Sequence, residues 1–182
     1  MKTILILISV AVLGSGLWYW QSRMNGVTPV VRYATSSTVA EGAPLGTPST
    51  TDAQWKQLLS PAAYHVLREQ GTEAPFSSPL DFETRPGTYV SADCGEPLFR
   101  SEQKYDSGTG WPSFWAPISP EAIRLVGDNS LFEARTEVRT AKCDSHLGHV
   151  FDDGPPPTGK RYCMNGVALR FIPDPTTTPH VK

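Results

Sequence analysis

The sequence lacks the features that mark several common classes of protein. Its 182 residues carry a formal charge of only −2, and the 16 Lys and Arg residues are scattered rather than clustered. A nucleic-acid-binding protein usually shows a basic patch that contacts phosphates, so we exclude nucleic acid as a partner. No internal repeat is visible. The chain is also short for two full domains, so one catalytic or binding domain is expected.

Cysteine is scarce, because the chain has only three, and the number is odd. In an oxidising compartment an odd number favours one disulfide and one free thiol, although pairing between molecules is an alternative. Cys163 lies in GKRYCMNGVALRF (159–171), a segment predicted to form a strand. The residues alone leave three interpretations of Cys163 open: a core thiol, half of a disulfide or a nucleophile.

Only one long apolar run is present, in residues 3–20. It follows a Lys, ends in WYW and has about the length of a helix that crosses a bilayer. We predict a signal anchor in residues 1–22. A cleaved signal peptide is the alternative, because residues 14–16 are small enough for a processing site. Both interpretations predict a membrane-anchored or secreted protein whose catalytic domain lies outside the cytoplasm. In a Gram-negative organism the domain would lie in the periplasm.

The rest of the chain divides into three parts. Residues 23–50 are rich in Ser, Thr, Gly and Pro and lack apolar periodicity, which predicts a flexible linker. The folded domain is predicted to span residues 51–173. Residues 174–182 form a polar tail.

Two patterns divide the predicted domain. Apolar residues at helical spacing before and after Pro61 predict two short helices, the second ending near Gly71. From Pro86 onward, short runs of β-forming residues separated by Gly, Pro and Asp predict antiparallel strands. These runs are GTYVS, PLF, LFEARTEVRT, HVF and YCMNGVALRFI. The expected fold class is mainly β, with short N-terminal helices.

Two further segments carry residues suited to chemistry. DSGTGWPSFW (106–115) presents Trp111 between glycines and a proline, which suits either a core turn or a binding surface. CDSHLGHVFDDG (143–154) places His146 and His149 three residues apart, ahead of the strand with Cys163. Two His residues and a Cys fit a metal site or a nucleophile with an acid–base partner. Each His alone is equally well explained as a structural residue.

These segments, in this order, closely resemble the methionine-R-sulfoxide reductase family of the B type over residues 55–173. The motifs GWPSF, HLGHVFDDGP and TGKRYC, and the Asn two positions after the Cys, follow the family's order. The resemblance implies antiparallel sheets in a β-tent-like fold. It also implies an enzyme that reduces methionine-R-sulfoxide, free or in oxidised proteins, with an external thiol reductant and no cofactor.

The resemblance assigns a role to each candidate residue. Cys163 falls on the nucleophile, and His149 and Asn165 fall on the residues that hold the sulfoxide oxygen. Trp111 falls on the residue that packs against the terminal methyl group, and His146 has a supporting place in the substrate pocket. Such a set suits the reaction, because a thiolate attacks sulfur while the departing oxygen gains protons.

Strand alternation adds an expectation about geometry. Residues 163 and 165 of one strand would face the same side of the sheet, so Cys163 and Asn165 would meet. Arg161 would share that face and favour the thiolate form of Cys163.

The chain departs from the family where many members bind a structural zinc through two C-x-x-C pairs. SADC (91–94) and TAKC (140–143) retain only Cys94 and Cys143. Two thiolates do not make a closed zinc site, so we predict no metal and exclude a plain zinc-ribbon scaffold. Because zinc ligands lie close together and export supplies an oxidising setting, we predict a structural Cys94–Cys143 disulfide instead. Gly166 also replaces a Ser that is usual after the Asn.

A second departure concerns recycling. Thr109 occupies a frequent position of the family's second, resolving cysteine. The sulfenic acid of Cys163 is therefore expected to be reduced by an exported thioredoxin-like partner or a small thiol, unless Cys94 or Cys143 moves across the domain. The alternative function is a sulfoxide-binding module of the same fold without efficient turnover. Retention of all three catalytic positions favours the enzyme.

Overall fold

The computed structural model of the protein describes residues 44–129 and 134–175. The predicted signal anchor, the linker before residue 44 and the tail from residue 176 lie outside this part of the chain. No helix within the described residues is long and apolar enough to cross a membrane.

Two short helices begin the described part, as predicted. Helix α1 spans Asp52–Leu58 and helix α2 spans Pro61–Glu69. Thr51 begins α1 with a capping box, and Ser60 caps α2 directly before a proline at the first helical position. Both helices bury apolar side chains in the hydrophobic core, Trp55 from α1 and Val66 and Leu67 from α2.

The strands that follow form two antiparallel sheets, which confirms the predicted mainly β fold. The strands are β1 (Gly87–Ser91), β2 (Pro97–Arg100), β3 (Lys104–Tyr105), β4 (Ser113–Phe114), β5 (Ile123–Asp128), β6 (Arg135–Thr140), β7 (His146–Phe151), β8 (Arg161–Met164) and β9 (Leu169–Pro173). One sheet has the order β2-β1-β9, and the other has the order β3-β4-β8-β7-β6-β5. All the pairs are antiparallel.

Aromatic rings fill the core where the two sheets meet. Phe99 of β2 stacks on Phe114 of β4 with ring centroids 4.3 Å apart, and Tyr89 of β1 meets Phe114 edge-on at 4.9 Å. All three residues are fully buried. Burying a side chain of this size contributes about 1.5–3 kcal/mol. This cluster therefore holds β4, and with it the neighbouring strand β8, against the smaller sheet.

The predicted strand YCMNGVALRFI is two strands in different sheets. Strand β8 ends at Met164, a 3-10 turn spans Gly166–Ala168, and β9 joins the other sheet. The expectation that residues 163 and 165 alternate along one strand is wrong, because Asn165 lies beyond the end of β8. The N–H groups of Gly166 and Val167 donate to the Glu73 carboxylate instead of to a neighbouring strand.

The fold extends slightly beyond the predicted limits at both ends. Leu45, in the predicted linker, donates its N–H to the Asp93 carbonyl at 2.7 Å and packs against the core. Asp174, in the predicted tail, accepts two hydrogen bonds from the Arg100 guanidinium at 2.6 and 2.8 Å. Residues 44–50 and Asp174 thus contribute to the folded unit.

Candidate active site

Four of the predicted site residues line one small cavity. Trp111, His149, Cys163 and Asn165 surround a space of about 150 Å³. Sites for drug-sized ligands usually enclose about 300–1,000 Å³, so this cavity suits a single amino-acid side chain. A larger cavity of about 950 Å³ lies between α2 and β9, but no cysteine lines it.

The position of Cys163 follows from its strand pairing. Cys163 lies on β8 directly opposite Ser113 of β4 and His149 of β7. Gly148 allows β7 to approach closely, since a Cβ atom there would lie 2.1 Å from the Cys163 carbonyl oxygen. The sheet therefore places the nucleophile candidate and the histidine candidate on adjacent strands.

Burial and polar neighbours act on the Cys163 thiol in opposite directions. Burial raises its pKa above the ordinary value, while contacts with Thr109, Arg161 and Ser113 lower it, and burial has the larger effect. The Thr109 hydroxyl lies 3.9 Å from the sulfur. The neighbours thus favour the thiolate as expected, but in the resting protein burial outweighs them.

Arg161 is held firmly beside Cys163. Its guanidinium donates to both Asp153 carboxylate oxygens, at 2.9 and 2.8 Å, and lies 4.4 Å from the centre of the Phe151 ring. The side chain is only 13% exposed. A fixed positive charge next to the sulfur is the arrangement that stabilises a thiolate.

His149 has a carboxylate partner that sequence reasoning missed. Its Nε2 donates to Asp128 at 2.9 Å, and the Arg135 guanidinium donates to the same carboxylate oxygen at 2.6 Å. Because a carboxylate in this pair only accepts, the contact fixes a hydrogen on Nε2 and sets the ring's orientation. The imidazole is thereby aligned at the edge of the cavity.

His146 lies behind the cavity rather than at its surface. It is 1% exposed, and its ring meets the His149 ring edge-on with centroids 5.4 Å apart. Its Nδ1 contacts the Glu137 carboxylate at 2.7 Å. Burial lowers the pKa of His146, although Glu137 acts in the opposite direction. His146 therefore contacts the site through His149, and a direct role in substrate binding stays a prediction.

Asn165 and Trp111 are positioned by the same loop residue. The Asn165 side chain donates from Nδ2 to the Leu147 carbonyl at 2.9 Å and accepts at Oδ1 from the Glu73 N–H, also at 2.9 Å. Trp111 Nε1 donates to the Glu73 carbonyl at 3.2 Å. Both side chains thus have fixed orientations at the cavity.

The glycine after Asn165 is explained by its neighbours. A Cβ atom at Gly166 would lie 2.0 Å from the Ser78 hydroxyl oxygen. The Ser78 hydroxyl therefore occupies the space into which a side chain at position 166 would extend.

The two quartets that match the family's zinc ligands do come together, but they do not fit a zinc ion. The thiols of Cys94 and Cys143 are close enough for each to act on the pKa of the other, and both are buried. The Ser91 hydroxyl donates to the Asp93 carboxylate, and the Thr140 hydroxyl accepts the Ser145 N–H at 3.0 Å. Within residues 44–129 and 134–175, no three His, Cys, Asp or Glu side chains are grouped to hold a metal.

Where many members of the family bind zinc, this chain has a network of hydrogen bonds. The Asp93 carboxylate is fully buried and accepts from the hydroxyls of Ser91 and Ser145 and from the Cys94 N–H. All three cysteines are free thiols in the structure, and burial raises the pKa of both Cys94 and Cys143. The Cys94–Cys143 disulfide stays a prediction for the oxidised protein.

Two residues that organise the site were missed from the sequence. Asp128 ends strand β5, which was not predicted, although the β-branched residues Ile123 and Val126 were a signal for a strand. Glu73 stands in the loop after α2, and nothing in its local sequence distinguishes it from an ordinary exposed carboxylate.

Comparison with known proteins shows the family of the chain. The SelR domain family matches residues 59–173. The chain is 54% identical over 121 residues to a peptide methionine sulfoxide reductase MsrB of Methanosarcina barkeri, covering 66% of this chain and 85% of that protein. It is 52% identical over 127 residues to the protein of the same name from Methanosarcina mazei, covering 70% and 91%. A third MsrB, from Hahella chejuensis, is 54% identical over 121 residues, covering 66% and 87%. The chain, with its cysteine, histidine, asparagine and tryptophan around one cavity, belongs to the MsrB family of SelR-domain proteins.

Proposed function

We propose that the protein reduces methionine sulfoxide in oxidised proteins to methionine, acting on the R epimer and also on the free amino acid. The observation that carries the proposal is the meeting of Cys163, His149, Asn165 and Trp111 around one cavity the size of a side chain. The relatives at 52–54% identity bear the name of this activity.

The first half of the reaction oxidises Cys163. Its thiolate attacks the sulfoxide sulfur and forms a transient sulfur–sulfur bond, while the sulfoxide oxygen takes up one proton. The protonated oxygen then bonds to the Cys163 sulfur as the sulfur–oxygen bond of the substrate and the sulfur–sulfur bond both break. The products are methionine and a Cys163 sulfenic acid. His149 supplies the proton and the Asn165 amide donates to the oxygen, since both side chains line the cavity with Cys163.

Trp111 provides the apolar part of the site. Its ring offers a wall against which the terminal methyl group packs, and a charged side chain would lose its solvation there. The indole N–H is already paired with the Glu73 carbonyl, so the ring cannot turn freely. This arrangement favours a sulfoxide that presents a methyl group on one side and an oxygen on the other.

The second half of the reaction depends on a reductant from outside the chain. One external thiol condenses with the sulfenic acid to form a mixed disulfide and water, and a second thiol releases Cys163. The hydroxyl of Thr109, rather than a thiol, lies 3.9 Å from the Cys163 sulfur. A thioredoxin-like exported protein or a small thiol fits this requirement.

Stereospecific turnover tests the proposal. The full-length protein is incubated with dithiothreitol and racemic N-acetylmethionine sulfoxide, with Cys163→Ser as the control. We expect consumption to stop when half of the racemate remains, all of it the S epimer, and no consumption by the control.

The alternative function, a sulfoxide-binding module, predicts a different outcome. Such a module would bind the R epimer but release at most one equivalent of methionine per protein, even with excess dithiothreitol. Consumption of both epimers would contradict the assigned geometry of the site.

The location of the domain is a separate part of the proposal. The apolar run in residues 3–20 anchors the protein in a membrane or directs its export, and the domain acts outside the cytoplasm. A reporter enzyme that is active only after export, fused after residue 182, should be active in cells. An inactive reporter, together with intact fusion protein in the cytoplasm, would contradict export.

A further inference from the structure

Glu73 links two parts of the active site that are far apart in the sequence. It lies in the loop after α2, and its carboxylate accepts from the backbone N–H of Gly166 at 2.5 Å and of Val167 at 3.0 Å. These N–H groups begin the 3-10 turn Gly166–Ala168, where the preceding Asn165 provides no side-chain cap. The first N–H groups of a helical turn lack partners within the turn, so Glu73 caps it from another part of the chain.

The backbone of Glu73 contacts two residues of the cavity. Its N–H donates to Asn165 Oδ1 at 2.9 Å, and its carbonyl accepts from Trp111 Nε1 at 3.2 Å. One residue thus contacts both the side chain assigned to the sulfoxide oxygen and the side chain assigned to the methyl group.

Two contacts fix the rotation of the Asn165 amide, and one of them comes from Glu73. A backbone N–H can only donate, so it requires Oδ1 on its own side, and the Leu147 carbonyl on the other side requires Nδ2. With the Glu73 N–H displaced, only the Leu147 carbonyl would oppose rotation of the amide, and a rotated amide would present Oδ1 to the substrate. An oxygen facing the sulfoxide oxygen would repel it instead of donating to it.

We infer that Glu73 is a positioning residue for sulfoxide reduction, whose carboxylate locks the loop in the place where its backbone orients Asn165 and Trp111. The inference rests on the proposed function. In this role Glu73 does not contact the substrate. It acts through Asn165 and Trp111, the side chains that distinguish the sulfoxide oxygen from the methyl group.

The test replaces the carboxylate and leaves the size of the side chain unchanged. Glu73→Gln puts an NH₂ group against one of the two N–H donors, so the cap is broken. The matched control is Glu96→Gln, because Glu96 also accepts a backbone N–H, from Lys142 at 3.0 Å, away from the cavity. Glu73→Asp keeps the charge but shortens the reach, and it serves as a second variant if Glu73→Gln does not fold.

Three measurements are made on the full-length protein with excess dithiothreitol and a methionine sulfoxide peptide. For Glu73→Gln we expect kcat/KM to fall by a factor of about 10 to 100, which is less than the roughly 100- to 1,000-fold loss on removing an oxygen donor, because Asn165 is still present but misplaced. Alkylation of Cys163 by iodoacetamide should stay at the wild-type rate, because Thr109, Arg161 and Ser113 are the groups that act on the thiol. Combining Glu73→Gln with Asn165→Ala should cost little more than Asn165→Ala alone.

The measurements distinguish a positioning role of Glu73 from no role and from a general structural role. Equal turnover in Glu73→Gln and Glu96→Gln would overturn it, as would fully additive losses in the double variant. A parallel fall in alkylation and turnover would show a general structural role instead. Wild-type turnover in the same assay tests the proposed function independently of Glu73.

Discussion

Replacing Gly148 by alanine tests how closely strand β7 must approach the nucleophile. Gly148 pairs with Val138 on one side and Met164 on the other, and it directly precedes His149. The new Cβ atom would lie 2.1 Å from the Cys163 carbonyl oxygen, whereas ordinary contact begins at 3.4 Å. The atom that it meets is backbone in the middle of a sheet, which no side-chain rotation can relieve.

The size of the effect follows from that overlap. The two strands must separate by roughly 1 Å, and a displacement of this size in a catalytic group costs about 100-fold in rate. Overpacking of a well-packed interior also destabilises by about 1–3 kcal/mol. We therefore expect Gly148→Ala to unfold several degrees below the wild type and to lose about 99% of its turnover.

Gly127→Ala is the matched control for this variant. Gly127 lies in β5 of the same sheet, and a Cβ atom there would meet nothing within 4 Å. Thermal unfolding and turnover with dithiothreitol are measured for both variants. If Gly148→Ala matched Gly127→Ala in both assays, the close approach of β7 and β8 would not be required for activity.

The remaining predictions concern the other groups of the site. Cys163→Ser should abolish turnover, and His149→Ala and Asn165→Ala should each lower it by about 100-fold; near-normal turnover of Cys163→Ser would end the mechanism. Trp111→Ala should raise KM for the sulfoxide more than it changes alkylation of Cys163, and equal losses would make Trp111 structural. Arg161→Met removes a cation that favours the thiolate, so the pKa of Cys163 should rise further and alkylation at pH 7 should slow by about tenfold, unlike in the control Arg100→Met. Peptide mapping of the oxidised resting protein should find Cys94 linked to Cys143, which closes a loop of about 50 residues and contributes on the order of 4 kcal/mol in the chain-entropy model. A link from Cys163 to either thiol after one turnover, with both free beforehand, would contradict that bridge.

The local patterns of the sequence predicted most of the fold. Pro61 between two apolar groups located both helices, and GTYVS coincides with β1 because its β-branched and aromatic residues lie between turn-forming residues. The two-residue strands β3 and β4 left no such pattern, since their pairing is decided by neighbours distant in the chain. The break after Met164 was missed for the same reason, because the Glu73 carboxylate that caps the turn is more than 90 residues away.

The motifs contain residues that the fold brings together around one cavity, but they did not predict the geometry of these residues. Cys163, His149, Asn165 and Trp111 do line one cavity. Their partners could not be predicted, because Asp128 and Glu73 contact the site only through the folding of β5 and of the loop after α2. The balance between burial and charge at Cys163 is likewise a property of the three-dimensional packing, which no local pattern records.

The chain changes sheets at the active site, and this bears on how the protein loses activity. Cys163 belongs to the six-stranded sheet, while the turn after Asn165 leads into β9 of the three-stranded sheet. Hydrogen bonds to the Leu147 carbonyl tie Asn165 to β7 of the six-stranded sheet, whereas the turn that follows it continues into the smaller sheet. A small shear between the two sheets would therefore strain this junction, directly beside the thiol and the amide. The rate of turnover should therefore fall as soon as the packing of the two sheets is disturbed. On heating, activity should be lost together with the first loss of tertiary structure.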